Sequence, residues 1–135
     1  MILGIGTDML DLNRISKIIK KYDQKFIRRI YGYNEIKDAQ DKLNIPYNYF
    51  AKRFAAKEAT WKALSPIRGQ GLKFREIETL NDNNGKPYLF FSGKTKNFIQ
   101  EKEINLNAKL KFDISLTDEP PFILAFVVIS LAPCV

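Results

Sequence analysis

The stretch RFAAKEATWKAL, Arg53–Leu64, decides how the chain folds. At about 100° per residue, the advance of an α-helix, Phe54, Glu58 and Trp61 fall in one narrow stripe. Phe50 continues that stripe upstream, and Ala55, Ala56, Ala59 and Ala63 form the other side. The pattern predicts one long helix from Tyr47 to Ser65, stopped by Pro66. It also places a glutamate in the middle of an aromatic face. An ionised carboxylate among apolar groups is costly unless it is paired or binds a metal. Lys62, one turn ahead, offers an ordinary i,i+4 bridge, while Arg53 and Lys57 project along the other edge of the stripe. A carboxylate ringed by cations equally describes a site for anionic substrate groups that needs one negative anchor. Phosphate oxygens with a divalent metal fit that description, since Mg²⁺ takes one or two protein carboxylates and completes its octahedron with water and phosphate.

Upstream, ILGIG (Ile2–Gly6) reads as a short buried strand whose glycines let a ligand or another backbone come close. Asp8, at or just beyond its end, is the best second carboxylate for such a metal; its ordinary alternative is to cap the helix that follows. Ile15, Ile18, Ile19 and Tyr22 mark that helix, Phe26, Ile27 and Ile30 a second short one, and YNEIKDAQDKL (Tyr33–Leu43) a weaker third, interrupted by Pro46. Downstream, LKFREIETL (Leu72–Leu80) and PYLFFS (Pro87–Ser92) read as a hairpin around NDNNGK. Lys94–Lys102 predicts a short helix packed through Phe98 and Ile99. AKLKFDISL (Ala108–Leu116) and PFILAFVVIS (Pro121–Ser130) make a final antiparallel pair around TDEPP. With no repeat or linker, these elements predict one α+β domain over residues 1–135, with an antiparallel or mixed sheet, one long central helix and shorter helices.

The composition, 45% apolar and 27% charged over 135 residues, is that of an ordinary soluble domain. MILGIGTDML has no basic residues ahead of its apolar run, unlike a secretory signal. The longest apolar run, Phe122–Ala132, is too short to span a membrane. The single cysteine, Cys134, excludes an intrachain disulfide, and a cytoplasmic protein is the simplest reading. The net charge of +7 is concentrated: seven basic residues between Arg14 and Arg29 face only Asp23. Such clustering points to an acidic partner. The absence of histidine removes histidine-based triads, most catalytic zinc sites and imidazole acid/base chemistry. No Walker-type loop or dinucleotide fingerprint is present.

GIGTDMLDLNRI (Gly4–Ile15), RFAAKEATWKAL, NGKP (Asn84–Pro87) and ISLTDEPPFILAFVVI (Ile114–Ile129) resemble, in order and spacing, the bacterial holo-acyl-carrier-protein synthases. These are small members of the 4′-phosphopantetheinyl transferase superfamily, and the resemblance spans almost the whole chain. It implies a Mg²⁺-dependent transferase of the cytoplasm, serving fatty acid biosynthesis. The reaction it implies moves 4′-phosphopantetheine from coenzyme A to a serine of apo-acyl carrier protein, releasing adenosine 3′,5′-bisphosphate.

Carried over residue by residue, the resemblance makes Asp8 and Glu58 the Mg²⁺ ligands and Lys62 a contact for the coenzyme A diphosphate. Arg53, Lys57, Gly85, Lys86, Pro87 and Thr117 join the coenzyme site. Arg14, Lys17, Lys21, Lys25 and Arg28 dock the acidic acyl carrier protein. Glu58, directly or through a metal-bound water, is the candidate to take the serine proton. The family assembles as a homotrimer with coenzyme A between protomers. Many superfamily members carry a histidine in the strand that here reads DISLTD (Asp113–Asp118), so its contact must come from Thr117 or a neighbouring lysine. The rival reading is a basic nucleic-acid-binding module using Arg14–Arg29 and nearby tyrosines. It explains the charge and leaves Asp8, Glu58 and NGKP without a role.

Overall fold

The computed structural model describes residues 1–41, 47–69 and 71–133. Pro46, Cys134 and the last two residues of the stretch read as the third helix lie outside them. In chain order the elements are β1 (Ile2–Asp11), α1 (Leu12–Tyr22), α2 (Gln24–Ile30), α3 (Tyr33–Gln40), α4 (Tyr47–Ala63), β2 (Ile77–Asn81), β3 (Pro87–Phe91), α5 (Gly93–Leu106), β4 (Ala108–Glu119) and β5 (Phe122–Pro133). Strands β1, β5 and β4 form one antiparallel sheet in that order, and β2 and β3 form a separate hairpin. The chain is an α+β fold with α4 at its centre.

The small residues of β1 and α4 explain how the helix meets the sheet. On β5, the alternation Ile123, Ala125, Val127, Ile129 is fully buried against α4. Gly4 and Gly6 of β1 share that inward face, paired with Ile129 and Val127. A Cβ at Gly6 would collide with the carbonyl oxygen of Ala59, and one at Gly4 with that of Ala63. Backbone, rather than a ligand, therefore fills the space these glycines leave. Gly6→Ala is expected to destabilise the fold by roughly 3 kcal/mol, the upper end for overpacking, because the obstacle is helix backbone. A urea midpoint within experimental error of the parent would contradict that packing.

Three elements differ from the expectations above. Strand β1 continues to Asp11 because β5 offers partners down to Phe122, so Asp8 lies inside the strand opposite Ala125. The cap of α1 falls to Asp11, whose Oδ1 accepts the Asn13 N–H at 2.8 Å. The first half of Leu72–Leu80 is a 3₁₀ turn, Phe74–Glu76, and only Ile77 onward pairs in the hairpin. The carbonyls of Phe74 and Ile77 are taken instead by the Lys57 ammonium, at 2.9 and 2.6 Å. Helix α5 runs on to Leu106 and ends where Asn107 turns left-handed, with φ 50°.

Carboxylates from the 3₁₀ turn and β2 anchor two helix starts. Glu76 accepts the Lys94 N–H at 3.1 Å and the Thr95 hydroxyl at 2.8 Å at the head of α5. Glu78 accepts the Glu35 N–H at 2.8 Å in the first turn of α3. Each satisfies helix donors that have no partner within the helix and lies at the positive end of its dipole.

Candidate active site: a carboxylate pair at the end of the long helix

Because β1 continues past Asp8, its carboxylate projects from the inward face toward the last turns of α4. Lys62 reaches across to the strand, donating to the Thr7 carbonyl at 2.9 Å and to Asp8 Oδ1 at 3.4 Å. The bridge from Lys62 to Glu58 is not made. Among the described residues the Glu58 carboxylate accepts no hydrogen bond and forms no ion pair, although Phe54, Trp61 and Phe74 surround its helix stripe. Phe74 stands edge-on to both rings, at 6.2 Å from Phe54 and 6.1 Å from Trp61.

Burial pushes the Glu58 carboxyl above the usual carboxylate range, and the nearby Asp8 charge pushes it further; Lys62 and Arg14 pull it back. Asp8 is raised for the same first reason, against the hydrogen bond and charge of Lys62 and the charge of Arg14. Two half-buried carboxylates and two cations thus converge from β1, α1 and α4. A carboxyl raised in the folded state costs stability once ionised and nothing below its unfolded value of 4.5. Glu58→Gln is therefore expected to raise the melting temperature at neutral pH without metal, with the gain fading as pH falls toward 4.5. A gain that instead grew on acidification would contradict the burial of this group.

The neighbouring residue has the opposite fate. Lys57 is fully buried and spends its ammonium on Glu35 at 2.6 Å and on the Phe74 and Ile77 carbonyls. The expectation that Lys57 offers its charge to a coenzyme phosphate is thereby corrected: its three donors are bound within the protein. Arg53 is also buried, with Nε on the Thr79 carbonyl at 3.3 Å and Nη2 on Asn81 Oδ1 at 2.6 Å. Its guanidinium lies 3.8 Å from the Tyr49 ring centroid. It nevertheless lines an open cleft together with Tyr49, Lys52, Asn81, Gly85 and Pro87.

Three of the residues expected at the coenzyme, Arg53, Gly85 and Pro87, therefore share one cleft. Lys86 is exposed on the hairpin turn. Thr117 is exposed on the face of β4 opposite to Leu116, which lines that cleft. Arg53 and Glu58 stand about 140° apart around α4, so this cleft and the carboxylate pair occupy different sides of the helix. Arg14, Lys17, Lys21, Lys25 and Arg28 are all exposed, because α1 and α2 turn Ile15, Ile19 and Ile27 inward. Sequence reasoning missed the Lys57–Glu35 pair. It also missed a second cleft, where Trp61 and Phe74 meet Arg29, Lys73 and Arg75. The one local signal for Glu35 was its place three residues after Gly32, whose N–H it accepts at 3.0 Å.

A carboxylate pair on a glycine strand and a Lys-Glu-x-x-x-Lys helix, beside a basic helical face, coincide with a known family model. Residues 4–119 match that of the 4′-phosphopantetheinyl transferase superfamily, and the chain belongs to it. Over 131 residues the chain is 42% identical to the holo-[acyl-carrier-protein] synthase of Orientia tsutsugamushi strain Boryong, covering 96% of this chain and 98% of that one. The crystal structure of the Neisseria meningitidis holo-[acyl-carrier-protein] synthase superposes with a TM-score of 0.81 at 38% identity, covering 96% and 99% of the two chains. That of the Bacillus anthracis enzyme, in complex with CoA (3′,5′-ADP), gives 0.74 at 33% identity, covering 98% of each. Within the superfamily the chain is an enzyme of the holo-[acyl-carrier-protein] synthase family.

Proposed function

We propose that the chain transfers 4′-phosphopantetheine from coenzyme A to a serine hydroxyl of apo-acyl carrier protein with Mg²⁺, releasing adenosine 3′,5′-bisphosphate. The observation that carries the reading is the convergence of Asp8, Glu58 and Lys62, with both carboxyls destabilised as anions and only Asp8 paired. Two hard oxygen donors fit a divalent cation whose remaining positions go to water and phosphate; among the described residues no larger cluster of metal-ligating side chains exists. Asp8 and Glu58 would hold the Mg²⁺, which would supply charge neutralisation at the diphosphate. Lys62, half-exposed at the mouth of the pair, binds diphosphate oxygens and offsets charge on the leaving group. Glu58, directly or through a water held at the site, would accept the serine proton.

The CoA (3′,5′-ADP) complex of the Bacillus anthracis relative supports coenzyme A as donor. The likeness to the holo-[acyl-carrier-protein] synthases carries the reading that coenzyme A binds between protomers of a homotrimer. Support comes from the outward face of the three-stranded sheet, where Ile5, Met9, Phe122, Leu124 and Phe126 are exposed beside Thr117. A partner's sheet face covers these apolar residues and brings Thr117 into a shared cleft. The enzyme works in the cytoplasm for fatty acid biosynthesis.

Incubation with coenzyme A, Mg²⁺ and an apo-acyl carrier protein tests the reading directly: mass spectrometry of the carrier either gains phosphopantetheine or does not. The basic face makes a further expectation. Lys21→Glu with Lys25→Glu should raise KM for the carrier at least ten-fold and leave that for coenzyme A nearly unchanged, and the parent reaction should slow as salt rises. Equal losses for both substrates, or a salt-insensitive rate, would remove α1 and α2 from the docking face.

A further inference from the structure

Lys57 and Glu58 are consecutive in the chain and serve opposite sides of one helix. Lys57 Nζ makes three hydrogen bonds: to Glu35 Oε1 of α3 at 2.6 Å, to the Phe74 carbonyl at 2.9 Å and to the Ile77 carbonyl at 2.6 Å. Glu35 in turn accepts the Thr79 N–H at 3.1 Å, and Glu78 accepts the Glu35 N–H. Lys57 and Glu35 are both fully buried, and every polar atom of the pair has a partner.

The two carbonyls belong to segments that matter to the site. Phe74 packs edge-on against Phe54 and Trp61, the aromatic stripe that holds Glu58. Ile77 opens β2, whose hairpin presents Gly85 and Pro87 to the Arg53 cleft. A core lysine used for packing alone needs no such pair of targets. A buried charged network has discrete, fully satisfied geometry, and this one fastens both segments to the residue next to the metal carboxylate.

We propose that Lys57 is a positioning residue for coenzyme binding: its ammonium, held by Glu35, fixes the hairpin root at Ile77 and the Phe74 wall relative to Glu58. It touches no substrate. The inference rests on the proposed phosphopantetheinyl transfer, since coenzyme affinity is its readout.

The decisive variant is Lys57→Met with Glu35→Gln, which removes the ion pair without stranding a buried charge. Replacing a whole buried pair is far better tolerated than breaking it. In the folded double variant, KM for coenzyme A is expected to rise at least ten-fold. KM for the carrier should change little. Calorimetric titration with adenosine 3′,5′-bisphosphate should show the same loss. If the double variant does not fold, Lys57→Gln with Glu35→Gln carries the same criterion, because two facing amides can hydrogen-bond each other without the shorter side chain also reaching both carbonyls. A folded variant with parental KM and parental nucleotide affinity would make Lys57 merely structural and overturn the inference. A parent that transfers nothing from coenzyme A to an apo-carrier would instead defeat the underlying function, so the two failures are separable.

Discussion

Asp8→Asn and Glu58→Gln are each expected to slow pantetheinyl transfer by a factor on the order of 10²–10³ at limiting Mg²⁺, the loss typical of one group that stabilises transition-state charge. Each change removes a ligand charge at nearly constant volume. The two variants should separate at higher metal concentration. On the proposed roles, Asp8 would serve only as a ligand, so excess Mg²⁺ should restore part of the Asp8→Asn rate. Glu58 would also accept the serine proton, so Glu58→Gln should recover less. Their folded states move in different directions as well. Glu58 has no hydrogen-bonding partner among the described residues, so its neutralisation relieves a half-buried charge next to that of Asp8. Asp8 accepts from Lys62 at 3.4 Å and loses part of that pairing as an amide. Mg²⁺ should raise the melting temperature of the parent and not of either variant. Turnover near the parent's in both variants at limiting Mg²⁺ would remove these carboxylates from the reaction.

The helical half of this fold was written plainly in the residues. The alanine side of Arg53–Leu64 and the two glycines of Ile2–Gly6 are complementary halves of one contact, and each is a local signal. The strand Ala108–Leu116 and its return from Pro121 were legible in their alternation, but pairing runs on through Thr117–Glu119, which read as part of the turn. What stayed hidden depends on partners far along the chain. Nothing near Lys57 indicates that Glu35, 22 residues away, and the carbonyls of Phe74 and Ile77 will surround it. A helical wheel gives the direction of a side chain and not what waits there, so Lys57 read as one more cation beside Glu58. The same limit applies to Lys62: helical spacing offers it Glu58, four residues away, and it pairs with Asp8, 54 residues away. Helical spacing permits an i,i+4 bridge; the tertiary fold offered Lys62 a strand carbonyl and a carboxylate, and these won.

That pairing decides what the loss of Lys62 should do. Were the lysine present to neutralise Glu58 on a structural helix, Lys62→Ala would strand a buried carboxylate and destabilise the fold by roughly 1–3 kcal/mol, with activity falling only as folded protein disappears. The geometry argues otherwise. Lys62 is half-exposed, its two contacts are the Thr7 carbonyl and Asp8, and at 3.4 Å its hold on the carboxylate is loose. An exposed pair of this kind contributes little to stability. With Asp8 and Glu58 holding a divalent cation, as proposed, its ammonium would be free to leave Asp8 for phosphate oxygens. Lys62→Ala is therefore expected to melt within a few degrees of the parent and to turn over on the order of 10²–10³ more slowly. Lys62→Arg should recover only part of the rate, because a planar guanidinium does not reproduce the compact charge of an ammonium. Thermal melts and single-turnover rates on the same samples distinguish the two cases. A large fall in melting temperature with an unchanged rate per folded molecule would return Lys62 to the scaffold and leave the diphosphate without its cation.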